Sequence, residues 1–387
     1  MAGRFGEIGQ ARLVERTMTQ PFPVTEYSLT ALESAPPPAG WLPSAPTLLC
    51  ATDDRYAMPL AAALASVLTH WQGPAGAPLQ LVLLDGGIGP ENWERLSATI
   101  ESFGLPALRV HANRAAVEHL KISHHISHTA YFRLLSSRWL PEWISRVIYL
   151  DCDVIVLGNL CELWDAARSL AKNESGAANE VWAVPDIACP YLDPQTSCAD
   201  YSAFAPYFAA LHPVRNFSEL GMDAKGWYFN SGVMVLDLAA WRREDRSQQL
   251  LDCLQQNAAH IWCWDQYALN VVFAKRWGAL PLAWNFGAHA YDYEQIPDLR
   301  GKSPLLPDEY QAMLRQPKLI HFTTEIKPWH YYSFHPLTNK FYEYLSMTSW
   351  KNWRPSKPGF KTWWHVQTFR WQKPLMALRR RLRLDWS

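Results

Sequence analysis

Asp151 and Asp153 flank Cys152 at a break in an apolar run, with Val147-Ile148-Tyr149-Leu150 before them and Val154-Ile155-Val156 after. On an extended strand, residues two apart face the same way, so these two carboxylates can share one hard cation. Mg²⁺ and Mn²⁺ take oxygen ligands and commonly keep places for substrate phosphates, which makes such a pair suited to a nucleotide diphosphate. An isolated D-x-D is more often a solvated strand end. Here it interrupts a stretch that would otherwise be buried, where uncompensated charge is costly.

The elements around the pair follow from apolar periodicity. A buried strand is expected at Thr47 to Ala51, leading through Thr52-Asp53-Asp54-Arg55-Tyr56 into a helix from Met58 to Leu68. A strand at Leu79 to Leu84, a helix from Pro90-Glu91 and a short strand at Leu108 to His111 continue the alternation. The pattern predicts a helix from Thr129 to Leu140, strands at Val147 to Leu150, Val154 to Val156, Val181 to Val184, Tyr228-Phe229, Val233 to Leu236 and Lys318 to Phe322, and helices from Ala239 and Trp264. Strands alternating with helices imply an α/β fold with a mostly parallel sheet. Residues 186–226 read as a long aromatic-rich loop, of the kind that often forms a binding surface. Three parts result: a Pro/Ala-rich extension over 1–45 outside the core, a catalytic domain over 46–349, and a basic, Trp-rich segment over 350–387.

Four further segments accompany the aspartate pair: Ala51-Thr52-Asp53-Asp54-Arg55-Tyr56 and His125-Ile126-Ser127-x-Thr129-Ala130-Tyr131-Phe132-Arg133-Leu134 before it, and Tyr228-Phe229-Asn230-Ser231-Gly232-Val233 and Trp264-Asp265-Gln266-x-x-Leu269-Asn270 after it. His321-Phe322-x-x-x-x-Lys327-Pro328-Trp329 closes the series. In order and spacing, this set resembles glycosyltransferase family 8, which includes bacterial lipopolysaccharide galactosyl- and glucosyltransferases and the glycogenins. The resemblance runs from Leu48 to Trp329. It implies a GT-A type, Rossmann-like fold, a Mn²⁺-bound UDP-sugar donor (Mg²⁺ being the alternative), and transfer of galactose or glucose with retention to a glycan or glycolipid acceptor, as in lipopolysaccharide or surface polysaccharide synthesis.

Carried over position by position, the resemblance makes Asp151, Asp153 and His321 the metal ligands; an imidazole nitrogen suits Mn²⁺ better than Mg²⁺. It sets Lys327 on the diphosphate, where an ammonium group offsets charge on departing UDP. Asp53 is directed to the uracil edge and Tyr56 becomes a stacking ring, with Ala51, Cys152, His125, Ile126 and Thr324 also lining the nucleotide. Arg133 contacts the donor sugar or phosphate, with an ion pair to Asp265 as the competing account. Asn230, Ser231 and Asp265 meet sugar hydroxyls, and Gln266 lies near the reacting carbon. An amide is a poor nucleophile, which favours front-face attack over a covalent intermediate. Gln266, Asp265, Lys327 and Arg133 form the catalytic set. Three departures stand out: Arg55 for a smaller polar residue, Tyr267 where Asp is frequent, and Thr324-Glu325 in place of a Gly-containing turn.

Lys and Arg number 36 and Asp and Glu number 36, so net charge gives no reason to propose a nucleic-acid partner. The seven cysteines are scattered without metal or redox spacing, which fits a reducing compartment. No apolar stretch suits a signal peptide or membrane span, so cytoplasmic placement is expected. Trp363, Trp364 and Trp371 stand among Lys361, Arg370, Lys373 and Arg379-Arg380-Arg381, with Trp350 and Trp353 at the start of the same segment. Such a tail suits peripheral docking on anionic lipid at the cytoplasmic face of the inner membrane, against the alternative of a solvated basic tail. Two other functions remain open at this point: another metal-dependent nucleotide-processing enzyme, and a non-catalytic UDP-sugar-binding protein of the same fold.

Overall fold

Apolar runs of five or six residues, buried on both sides, become central strands of a sheet covered by helices on both faces, as a parallel arrangement requires. The computed structural model describes residues 24–29, 36–38, 40–73, 77–120, 127–172, 176–333, 335–357, 359 and 364. Its strands are β1 (Thr25–Ser28), β2 (Thr47–Thr52), β3 (Gln80–Asp85), β4 (Ala107–His111), β5 (Arg146–Leu150), β6 (Val154–Val156), β7 (Val181–Pro185), β8 (Phe229–Asp237), β9 (Trp277–Ala279), β10 (Phe286–Gly287) and β11 (Leu319–His321). The main sheet has the order β1-β4-β3-β2-β5-β8-β7-β9, and a small sheet has the order β10-β11-β6. All neighbours in the main sheet are parallel except β8, which runs against both β5 and β7.

Alternate residues feed opposite layers. Leu48, Cys50, Leu81 and Leu83 join Leu60, Leu64 and Val67 of helix Ala57–His70, whereas Leu49, Val82 and Leu84 join Tyr131, Phe132 and Trp241 on the other face. From β2 the chain moves through β3 to β4 on one side, and β5 takes the other side. The crevice beyond the carboxyl ends of β2 and β5 is therefore a switch point, where open α/β sheets receive ligands. Asp53 and Asp151 follow those two ends.

Several expectations need correction. Residues after Ser127 form a 3₁₀ segment, His128–Leu135, before a short α-helix, Ser136–Trp139, in place of one α-helix. Arg133 Nε donates to the Ala130 carbonyl at 2.9 Å, taking an acceptor that the fourth residue on would use in an α-helix. The strands expected at Tyr228-Phe229 and Val233 to Leu236 are one strand, β8. Residues 186–226 hold short helices at Pro194–Ser197 and Tyr201–Phe204, and a Tyr191–Trp227 bridge ties the segment at its base. The end of the N-terminal segment is part of the sheet: Glu26 on β1 pairs with Arg109 at 3.2 Å, and Trp41 is buried. Trp350, read with the tail, is a core residue. The aromatic and basic composition of its neighbours concealed this.

Candidate active site

The strand β8 shifts register against β7 between Ala183 and Val184, where Met234 and then Asn230 are the successive partners. Such a bulge re-aims side chains, and here it turns Asn230-Ser231-Gly232 toward the end of β5. The Asp151 amide donates to the Gly232 carbonyl at 2.9 Å. Gly232 is required by space: a Cβ there would stand 2.3 Å from His321 Cε1 and 2.7 Å from Asp151 Oδ2.

His321 arrives from the small sheet, where it lies opposite Val154 on β6, and the Phe322 amide donates to the Asp153 carbonyl. Asp151, Asp153 and His321 each offer a ligand atom, all within 4.8 Å of one another. His321 Nε2 is 3.3 Å from Asp153 Oδ1 and 3.8 Å from Asp151 Oδ2. Nδ1 of the ring meets Asn285 Oδ1 at 2.9 Å, an oxygen that can only accept; a proton held there would leave Nε2 to offer its lone pair to a cation between the carboxylates.

Each carboxylate is tethered by one oxygen and leaves the other facing the imidazole. Asp151 Oδ1 takes Arg133 Nη2 at 2.8 Å and the Tyr149 hydroxyl at 3.0 Å; Asp153 Oδ2 takes Lys327 Nζ at 2.6 Å. Burial opposes the Asp153 charge, but Lys327 and then His321 outweigh it and hold the carboxyl well below its usual range. The donor set of two carboxylate oxygens and one imidazole nitrogen fits a divalent cation such as Mn²⁺.

Arg133 is buried, and the ion pair to Asp265 that was its competing account is present. It pairs with Asp151 and, through Nε, with Asp265 at 3.1 Å, and it also donates to the Ser231 carbonyl. Burial works against the guanidinium charge, and Asp151 and Asp265 raise its pKa beyond that loss. Asp265 is pushed above the ordinary carboxyl range by burial, with Arg133 opposing.

Asp265 and Gln266 open helix Trp264–Val272, whose first residue has φ 38°. That conformation costs roughly 1–3 kcal/mol and persists only where the surroundings fix it. Asn270 supplies the fixing, since its amide bonds both the N–H and the carbonyl of Phe229 and so fastens the helix to β8. Gln266 Oε1 accepts from the Ser231 amide at 3.0 Å, and its Nε2 donates to Asp186 Oδ2 at 3.0 Å, where Asn230 Nδ2 also donates at 3.2 Å. Asp186, Asn230 and Gln266 line a cavity of about 150 Å³ with Asn285, His289 and Thr323.

Sequence reasoning missed two of these residues. Asp186 follows β7 as Asp53 follows β2 and Asp151 follows β5, so an acid after a strand end was the available signal. Asn285 acts through His321 and had none. Ala51 and Cys152 are buried and meet each other, the thiol donating to the Ala51 carbonyl at 3.3 Å. Thr324 is not among the described residues with positive φ; its hydroxyl donates to the Ile326 carbonyl, so the turn needs no glycine conformation. Tyr267, the departure beside Gln266, points away and donates to Asn216 at 2.7 Å. His125 and Ile126 lie outside the described residues.

Residues 47–333 match the family model for glycosyl transferase family 8. The chain belongs to that family. The transferase is 29% identical over 307 residues to General stress protein A of Bacillus subtilis, covering 78% of this chain and 94% of that protein. It is 26% identical over 230 residues to the lipopolysaccharide 1,2-glucosyltransferase of Escherichia coli strain K12, covering 59% of this chain and 57% of that one. The crystal structure of the galactosyltransferase LgtC, in complex with donor and acceptor sugar analogues, superposes with a TM-score of 0.60 at 23% identity, covering 78% of this chain and 96% of that one. The shared architecture is the GT-A type that the resemblance implied. Among the described residues of the transferase, no helix is long and apolar enough to cross a membrane.

Proposed function

We propose that the transferase moves a hexose, galactose or glucose, from a UDP-sugar to a glycan or glycolipid acceptor with retention of configuration, in the synthesis of lipopolysaccharide or a surface polysaccharide. The observation that carries this reading is the half-tethered pair of aspartates facing His321, beside a cavity edged by Asp186, Asn230 and Gln266. Asp151, Asp153 and His321 would hold Mn²⁺, which when bound supplies Lewis-acid stabilisation of the diphosphate. Lys327, already fixed on Asp153 and the Phe322 carbonyl, places its remaining donor for a phosphate oxygen. Arg133 keeps Asp151 and Asp265 in register.

Gln266 is anchored at both ends of its amide, so it orients the sugar and is no nucleophile. The acceptor hydroxyl then enters on the face that UDP leaves. The new bond to the anomeric carbon forms as the bond to the phosphate oxygen breaks, and that oxygen takes the hydroxyl proton. The basic segment after Trp350 would bring the enzyme to anionic lipid on the cytoplasmic face; apart from residues 351–357, 359 and 364 it lies outside the described residues.

The test is release of UDP from a panel of UDP-sugars with and without Mn²⁺, since slow transfer to water needs no known acceptor. Mn²⁺-dependent UDP release that disappears in Asp153→Ala is the expected result. Release of UMP or pyrophosphate would point instead to another nucleotide-processing enzyme. Tight Mn²⁺–UDP-sugar binding without turnover on any acceptor would point to a binding protein.

A further inference from the structure

The cation ligands stand at the end of β5, and the groups edging the sugar cavity stand beyond β7 and on β8, to one side of them. A nucleoside diphosphate held at its phosphates with its sugar in that cavity must carry its base to the other side, the end of β2. There Asp53 caps the 3₁₀ turn Asp54–Tyr56. Tyr56 is half-buried and within electrostatic reach of Asp153, Asp151 and Arg55, and its ring meets Trp329 edge to face at 5.7 Å. The β2 end is thus continuous with the cation site.

Asp53 and Arg55 form a pair of unequal exposure: the aspartate side chain is 17% exposed and the arginine 59%. Asp53 Oδ1 accepts from the Arg55 amide at 3.1 Å, and Oδ2 receives Nη2 at 3.3 Å. A guanidinium carries five N–H groups in a plane, so several remain directed outward beside the carboxylate. The crevice therefore presents an acceptor and a donor side by side. The uracil edge has an imide N–H between two carbonyl oxygens. A carboxylate that accepts this N–H brings one of those carbonyls alongside its own second oxygen, lone pair against lone pair. A guanidinium seated on that oxygen turns the clash into a hydrogen bond.

On the UDP-sugar reading above, we propose that Arg55 is a specificity-determining residue for the donor's base. Asp53 accepts the uracil N3–H while Arg55 donates to the adjoining carbonyl oxygen. Cytosine has a bare nitrogen acceptor at the same ring position, which faces the carboxylate unfavourably, so the pair selects UDP over CDP. Arg55, the departure noted in the sequence, thereby acts on the base and not as a general attraction for phosphate.

Calorimetric titration of UDP and CDP with saturating Mn²⁺ into the full chain and its Arg55→Ala and Arg55→Gln variants decides the matter. The parent protein is expected to prefer UDP. Loss of one charge-assisted hydrogen bond should lower UDP affinity about tenfold in Arg55→Ala, with a much smaller change for CDP. Arg55→Gln keeps N–H donors without charge and should retain most of the preference. Equal losses for both nucleotides, or no loss for either, overturn the proposal and leave the donor reading standing. A parent protein that binds UDP no better than CDP also overturns it, and one that binds neither overturns the donor reading and the clamp together.

Discussion

Gly232→Ala tests the site through one added methyl group. The new carbon would stand 2.3 Å from His321 Cε1, 2.7 Å from Asp151 Oδ2 and 3.1 Å from Asn230 Oδ1. Ordinary carbon contacts lie at about 3.5–4.0 Å, so the neighbours must retreat by about 1 Å. None is a loose chain end: Asn285 holds His321 at 2.9 Å, and Arg133 and Tyr149 hold Asp151 at 2.8 and 3.0 Å. Gly232 itself is fixed by its carbonyl to the Asp151 amide and by its N–H to Asn230. Metal sites accept ligand displacements of about 0.2 Å, so this movement costs at least one ligand. Mn²⁺-dependent UDP affinity should fall by about 100-fold, taking the upper end of what loss of a supporting contact does to a metal site. Overpacking should cost about 1–3 kcal/mol, enough to lower Tm without unfolding the protein. Calorimetry with Mn²⁺ and UDP, together with a thermal melt, reads both. A folded variant that binds the Mn²⁺ and UDP as tightly as the parent protein would refute the assignment of Asp151 and His321 to one cation.

Other variants probe single links. Asn285→Ala leaves the His321 ring without its Nδ1 partner, and Mn²⁺ affinity measured by spin resonance should drop roughly 10- to 100-fold; unchanged affinity would show that the ring is oriented otherwise. Asp186→Ala frees the amides of Asn230 and Gln266, and UDP release from a UDP-sugar should slow at least about tenfold while binding of UDP, which lacks the sugar, holds. An equal loss of UDP binding would remove Asp186 from the sugar side. Trp350→Ala should destabilise the fold by about 3–5 kcal/mol in denaturant titration, because this side chain is 3% exposed within the core. Truncations meant to test the tail should therefore begin after Trp353, which packs against the same core.

Much of this was legible where local chemistry and tertiary role coincide. The apolar runs of β2, β3 and β5 and the interruption at Asp151 and Asp153 declare themselves, because buried strands need apolar side chains and charge among them needs a reason. Local pattern failed where distant partners decide. Thr25–Ser28 becomes a strand because Glu26 reaches Arg109 and β4 offers a free edge, neither of which lies nearby in sequence. The 3₁₀ geometry of His128–Leu135 depends on where the Arg133 side chain spends its donors. The resemblance singles out Asn230, but the direction of its side chain depends on a bulge that has no local sign. Asn285 works through His321 and carries no motif of its own, and Asp186 had only its place after the end of β7 to mark it.

The spread of Asp151, Asp153 and His321 along the chain has a consequence for biosynthesis on the proposed cation role. Lys327 lies 174 positions beyond its partner Asp153, and His321 reaches the same point only when β11 has paired with β6. A ribosome that has made the first half of the chain has made two acids and no imidazole to complete the set. Contacts this distant close late in folding, so nearly the whole region must emerge and dock before the three side chains stand together, and on the proposed role an incomplete chain would be spared from sequestering metal or nucleotide.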